Sequence, residues 1–263
     1  SFNGLSNQYG VFKTFDFSQT IYMEEFSPYV TVMFTSDGSQ QLISKVILPP
    51  NIKTINLPFA KEVIFPSNSI TEVIFPGDTS IESIVFPKTL KAIGNNAFQG
   101  NSLTSVVIPS SVVRIGSNAF AARHLGQGNI ATLKFEKDSH LIAIYGDERN
   151  DYDEGAFGKN KLSNVIIPKS VEYIDYRAFD SNKLTTVSFE TGSKLKHIGK
   201  SVFSGNQLTN SGLAKLPSSL TSLATSAFSN NPSLTQITLT SPTDIEGWPN
   251  GSTVDGKTVV YER

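Results

Sequence analysis

One recurring phrase limits the folds open to this chain more than any other feature. From Ile81 it reads Ile81-Glu-Ser-Ile-Val-Phe-Pro87, then Leu90, Ile93-Gly94 and Ala97-Phe98. It returns as Leu103-Thr-Ser-Val-Val-Ile-Pro109 with Val112, Ile115-Gly116 and Ala119-Phe120, and again as Leu162-Ser-Asn-Val-Ile-Ile-Pro168 with Val171, Ile174-Asp175 and Ala178-Phe179. Looser copies carry Phe157, Val202-Phe203 and Ala227-Phe228. Measured from Phe to Phe, successive copies lie 22, 37, 22, 24 and 25 residues apart. The excess in the longer copies falls in turns and loops. A fixed unit with loop-sized additions is the signature of a solenoid, in which each coil touches only its neighbours and insertions leave the stack.

The unit has a direct physical reading. Leu-x-x-Val-x-Ile-Pro is a short strand whose first, fourth and sixth positions point inward, with Pro ending it. Ile-Gly then turns the chain, and Ala-Phe places one small residue and one large ring in the coil interior, with short helical or 3-10 turns expected in the solenoid. Three residues after the Phe stand Asn101, Asn160, Asn182, Asn206 and Asn231, with Arg123 breaking the row. An Asn in a turn satisfies backbone groups with its own amide and tolerates left-handed geometry. The row is therefore expected to be a structural ladder.

Between residues 43 and 80 the runs Val63-Ile-Phe-Pro66, Val73-Ile-Phe-Pro76 and Ile84-Val-Phe-Pro87 follow one another at 10 and 11 residues, and are read as shortened coils. Nine of the 27 aromatic residues fall within the first 34 positions. A solenoid's open end exposes apolar rings and unpaired strand edges, and needs a cover. The expected organisation is an aromatic-rich N-terminal cap at 1–42 and a solenoid at 43–240. The solenoid divides into short coils at 43–80 and repeats of about 22 residues at 81–240, with a C-terminal cap at 241–263.

The phrase Ile-Pro-x-x-Val-x-x-Ile-Gly-x-x-Ala-Phe, clearest at 108–120 and 167–179, resembles the BspA-type leucine-rich repeat family of bacterial surface proteins. The variant Phe-Glu-x-Gly-Ser-x-Leu-x-x-Ile-Gly at 189–199 is similar to that family's alternative turn. The resemblance covers residues 81–240 well and 43–80 weakly. It implies a mainly β, right-handed, curved leucine-rich-repeat solenoid with non-repeat caps. It also implies a secreted or cell-surface protein of the adhesin or host-contact type. A partner would then be a protein, a host extracellular-matrix protein among the candidates, or a glycan.

Composition removes other classes. With 22 Lys+Arg against 23 Asp+Glu and no basic stripe, the chain lacks the charge excess with which nucleic-acid binders neutralise phosphates. The absence of Cys excludes thiolate catalysis, disulfides and thiolate-ligated zinc. No run of about 18 apolar residues is present, so no membrane-spanning helix is expected. No basic-plus-apolar leader opens the chain.

Motifs for chemistry are fragmentary. Gly126-Gln-Gly128-Asn-Ile-Ala131 matches a dinucleotide pattern but precedes a strand where it should follow one. His124, His140 and His197 fall on different copies, and no Gly-x-Ser-x-Gly elbow accompanies them. The insertion Gly146–Gly155 holds five acids and one base, and Asp151-x-Asp153-x-Gly155 echoes part of a calcium loop without its twelfth-position acid. It is read as an acidic, solvated loop. No catalytic residue, metal or cofactor is expected.

The strand row supplies the binding expectation. Its third positions are polar, whereas its fifth positions read Ile47, Ile64, Ile74, Val85, Val107, Lys134, Ile166, Ser188 and Thr238. Ile47, Ile64, Ile74, Val85, Val107 and Ile166 are the candidate partner-binding residues, an apolar stripe rimmed by polar groups. Strand propensity alone, or cover by the N-terminal segment, would give the same residues. The expected function is a non-enzymatic binding or adhesion module. The alternative is a non-catalytic targeting fragment of a larger carbohydrate-processing surface enzyme.

Overall fold

The computed structural model of the chain describes residues 81–148 and 153–262, together with the backbone of six short strands between Thr14 and Val73. Each coil contributes a longer strand and then a shorter one. Three such pairs precede residue 81: β1 (Thr14–Asp16) with β2 (Glu25–Phe26), β3 (Ile43–Ile47) with β4 (Thr54–Ile55), and β5 (Ala60–Ile64) with β6 (Glu72–Val73). Next come β7 (Ser83–Val85) and β8 (Ala92–Ile93), then β9 (Ser105–Ile108) and β10 (Arg114–Ile115), then β11 (Thr132–Phe135) and β12 (Ala143–Ile144). The coils of β13 (Asn164–Ile167) with β14 (Tyr173–Ile174) and β15 (Thr186–Phe189) with β16 (His197–Ile198) follow. In the next coil the longer strand shrinks to a bridge from Leu213 to Val187, and the shorter is β17 (Ser222–Leu223). β18 (Gln236–Leu239), β19 (Thr253–Val254) and β20 (Lys257–Tyr261) form a three-stranded end.

The shorter strands β6, β8, β10, β12, β14, β16 and β17 join side by side in one seven-stranded parallel sheet, and the stack is a mainly β solenoid of about seven turns. The longer strands make the opposite row in pieces: β1-β3-β5-β7, β9 with β11, and β13 with β15. Val63 in β5 pairs with Ile84, whereas Val73 in β6 pairs with Ile93 in the other sheet. The apolar runs at Val63 and Val73 are thus two sides of one coil and the run at Ile84 opens the next, where their sequence suggests a coil each. A run of three apolar residues before a Pro looks alike in either row.

The interior is a set of columns. Ile93, Ile115, Ile144, Ile174 and Ile198 are fully or almost fully buried, as are Leu103, Leu162, Leu184 and Leu208. Phe98, Phe120, Phe157, Phe179, Phe203 and Phe228 form one continuous stack, with centroids 5.2–5.6 Å apart and planes within 14° of parallel. Phe86 meets Phe98 and Phe120 edge-on. At the far end Trp248 is fully buried and donates its indole N–H to the Leu223 carbonyl at 2.9 Å.

The Ala-Phe segment is not a helical turn, and no helix occurs among the described residues. In the fourth copy, Arg177, Phe179 and Ser181 give their N–H groups to Lys200, Val202 and Ser204 of the next coil. Ala178 and Asp180 close single four-residue turns on Asp175 and Arg177. Alternate donors therefore leave the coil, and a helix, which needs consecutive internal bonds, cannot form. Arg177 and Ser181 adopt φ of 52° and 53°, and Asn96, Asn118 and Ser201 sit at the position equivalent to Arg177 with φ of 57°, 55° and 56°. The Gly of Ile-Gly serves close approach instead of reversal. A Cβ on Gly116 would stand 2.4 Å from Asn95 Oδ1 and 2.6 Å from the Asn95 nitrogen.

The Asn row is the expected ladder. Asn182 donates to the carbonyls of Phe157 and Phe179 at 2.9 and 3.1 Å, and its Oδ1 accepts the Leu162 N–H at 3.1 Å. Asn206 and Asn231 repeat the pattern one coil further on each time. At the Arg123 break, Asn101 turns its own Oδ1 to the Leu103 N–H at 2.7 Å. The long-turn copies carry Glu for a similar reason: Glu136 and Glu190 accept the N–H groups of Ser110 and Lys169 in the preceding coil, at 3.0 and 2.9 Å.

Candidate binding faces

A packed solenoid leaves two places for function, its outer sheet faces and its inserted loops. On the longer-strand face the burial pattern alternates, exposed then buried, along β9 and β13. The third-position row Ser83, Ser105, Thr132, Asn164, Thr186 and Gln236 is exposed and polar. In the fifth-position row Val85 is 69%, Val107 50% and Ile166 59% exposed. Lys134 is the exposed register partner of Val107, and Ser188, that of Ile166, is half-buried. Among the described residues the stripe is therefore two valines, a lysine and an isoleucine.

The other candidates lie in the first coils. Ile47 pairs with Ile64 and Ile64 with Val85, so their backbones continue the row, while their side chains lie outside the described residues. Ile74 also lies outside them. It follows β6, which belongs to the sheet of shorter strands, so Ile64 and Val85 are direct neighbours.

The insertion after β12 departs from a solvated acidic loop. Asp153 is 1% and Glu154 9% exposed. Asp153 accepts the Ser117 hydroxyl, the Asp147 N–H at 2.7 Å and the Gly155 N–H at 2.7 Å. Glu154 pairs with Lys159 at 2.7 Å, and its N–H donates to Asn118 Oδ1 at 2.8 Å. Glu148 reaches Lys200 at 3.1 Å. These carboxylates fasten the loop across several coils, because a buried carboxylate needs donors to replace water. Among the described residues no group of three His, Asp or Glu could hold a metal ion. Asp180, below this loop, has its carboxyl pushed above its ordinary value by burial, opposed by hydrogen bonds from Ser181 and Ser204.

The histidines do not converge. His140 Nδ1 lies 3.0 Å from the Ser110 carbonyl, whereas His197 Nδ1 lies 3.0 Å from the Ser222 hydroxyl on another coil.

A second face escaped the sequence reading. On the sheet of shorter strands, Ile142, Tyr145 and Tyr173 are 42%, 44% and 44% exposed. Two-residue strands give too little alternation to show which positions face out. The available signal was chemical: Ile144-Tyr145 and Tyr173-Ile174 flank the same inward Ile of adjacent copies.

Comparison with known proteins agrees with this architecture. The family profile described as BspA type leucine rich repeat region matches residues 57–140 and 150–248, in six copies. A leucine-rich repeat protein from Bacteroides ovatus is similar in structure, with a TM-score of 0.53 and 16% identity, covering 84% of this chain and 61% of that one. This chain thus spans about three fifths of the length of that relative. The pneumococcal vaccine antigen PcpA gives a TM-score of 0.40 at 16% identity over 91% of this chain and 72% of its own. A leucine rich cell surface protein from Faecalibacterium prausnitzii gives 0.36 at 17% identity over 84% and 79%. No curated protein matches the sequence. With the profile's repeats matched over well over half of its length and a stacked-coil fold to hold them, the chain belongs to the BspA-type leucine-rich repeat family.

Proposed function

We propose that this protein is a non-enzymatic, secreted or cell-surface binding module that holds a protein partner on its longer-strand face. The carrying observation is the exposed row Val85, Val107 and Ile166, set beside a polar row one pleat away. Soluble proteins keep large aliphatic side chains exposed in a regular line chiefly where something covers them, and a polar rim suits a separable partner. Repeats add surface without adding an interior pocket, and the described interior is filled by side chains throughout. Membership of the BspA-type repeat family supports the surface placement and the adhesive role. Host extracellular-matrix proteins are the partners to test first.

The test is a triple substitution, Val85→Asp, Val107→Asp and Ile166→Asp, assayed against immobilised matrix proteins. The unsubstituted chain should bind, and the variant at least about tenfold more weakly at an unchanged melting temperature, since exposed positions carry little folding energy. Unchanged binding would remove this face from the reading. Turnover in a hydrolase screen would overturn the non-enzymatic assignment.

A further inference from the structure

Seven large apolar side chains stand exposed among the described residues, and three of them lie at neighbouring strands of the seven-stranded sheet, Ile142 and Tyr145 flanking β12 and Tyr173 in β14. Tyr173 has Ala143 as register partner on one side and His197 on the other. Tyr145 points outward past buried Ile144, so its Cα lies roughly 8 Å from that of Tyr173, given a strand spacing near 4.8 Å and a rise near 3.3 Å per residue. Ala143, Gly116 and Gly199 are buried and leave space on one side of each tyrosine, while His197 is the register partner of Tyr173 on the other.

The surroundings are polar on every side. Glu172 and Lys196 pair at 2.8 Å along one flank. Asp175 stands opposite Tyr145 and accepts the Tyr176 N–H at 2.8 Å with one carboxylate oxygen. Beyond it the inserted loop adds Asp147 and the Glu148–Lys200 pair at 3.1 Å. His197, bonded to the Ser222 hydroxyl at 3.0 Å, closes the far end. Each ring is thus an apolar island within one residue of a carboxylate, an ammonium or an imidazole.

This pattern discriminates between occupants. A protein hot spot draws on a fully desolvated apolar anchor surrounded by contacts that exclude water, and here charged groups crowd the rings instead. A pyranose has the complementary chemistry. One face of it is a patch of C–H groups that packs on an aromatic ring, and its edge is a belt of hydroxyls that needs carboxylate, imidazole and ammonium partners. Tyrosine suits both demands, with an apolar body and a polar tip. A few convergent polar groups then fix orientation. Carboxylates on both flanks oppose a polyanionic chain.

We propose that the sheet of shorter strands binds a neutral oligosaccharide, with Tyr145 and Tyr173 as stacking platforms and Glu172, Asp175 and His197 as hydroxyl partners. This site lies on the opposite sheet from the protein-binding row and does not depend on it.

The experiment is calorimetry of the full chain with hexasaccharides from cellulose, chitin, xylan and mannan, with heparin as the acidic comparison. At least one neutral hexasaccharide should bind, and Tyr145→Ala or Tyr173→Ala should each weaken it by about tenfold. Tyr173→Phe should retain most of the binding, and the Val85→Asp, Val107→Asp pair should leave it unchanged. Amide chemical shifts of the unsubstituted protein, titrated with the same sugar, should move in the coils of Tyr145 and Tyr173, a readout that needs no variant. The proposal is overturned if no neutral hexasaccharide binds or if heparin binds in preference. It is equally overturned if the alanine variants bind as tightly as the parent or the shifts map to another face.

Discussion

Asn182 shows how one side chain holds two coils together. Its amide donates to Phe157 of the preceding coil and Phe179 of its own, while its oxygen takes the N–H of Leu162. Asn182→Ala would strip the buried Leu162 N–H of its acceptor and leave the Phe157 and Phe179 carbonyls with only the amides of Asn160 and Asn206. Unsatisfied buried groups cost about 1–3 kcal/mol each, so the denaturant midpoint should drop clearly while the fold's circular dichroism is kept. Asn182→Asp, which turns a buried carboxylate oxygen toward those two carbonyls, should destabilise at least as much. This residue-scale logic was legible in advance because Asn recurs at a fixed phase after each Phe. Asp153 was not, because its partner Ser117 is 36 residues away and only the stacking of coils brings them together. An isolated acid in an acidic run carries no mark of burial.

At the scale of the element, strand positions were readable and strand membership was less so. The longer strands alternate cleanly, as their inward Val and Ile require, and their outward rows fall where the sequence set them. The shorter strands are two residues long, and their apolar content before residue 81 looks like that of the longer ones. Pairing across coils separates them, and pairing is invisible to local pattern. The turn misreading has the same origin: Gly-x-x-Ala-Phe has helical spacing, but alternate N–H groups are claimed by the next coil. The inserted loop gives an element-scale prediction. Asp153→Ala should open the 146–155 segment to proteases far faster than the parent chain, because three donors lose their acceptor at once. Millimolar calcium should leave the melting temperature of the parent unchanged, since both oxygens of Asp153 already accept hydrogen bonds from the protein. A calcium-dependent rise in that temperature would restore the loop as a cation site.

For the whole molecule, stability is a sum over coils and the interfaces between them, with no single centre. Removing a ring from the middle of the stack should therefore do more than removing one near its end. Phe157→Ala breaks two ring contacts, with Phe120 and Phe179, whereas Phe228 has one Phe neighbour, Phe203. Large-to-small core changes of this kind cost about 3–5 kcal/mol. Phe157→Ala is expected to split chemical unfolding into two transitions measured by fluorescence and circular dichroism, while Phe228→Ala mainly lowers one of them. Equal, single-transition losses would show that the stack melts as one unit. The repeating architecture was evident from the sequence because the same strand, Ile-Gly and Ala-Phe phrase recurs, with its length changes confined to turns and loops. The aromatic face was not, since it depends on which small residues happen to lie beside Tyr145 and Tyr173 in neighbouring coils.

The Asn ladder also has a mechanical meaning. Coil is tied to coil by a rung of identical short bonds, except at Arg123, where Asn101 bonds to its own chain instead. A molecule pulled by its two ends would load these rungs in turn and release stored length coil by coil, so a sudden tug is absorbed as many small ruptures.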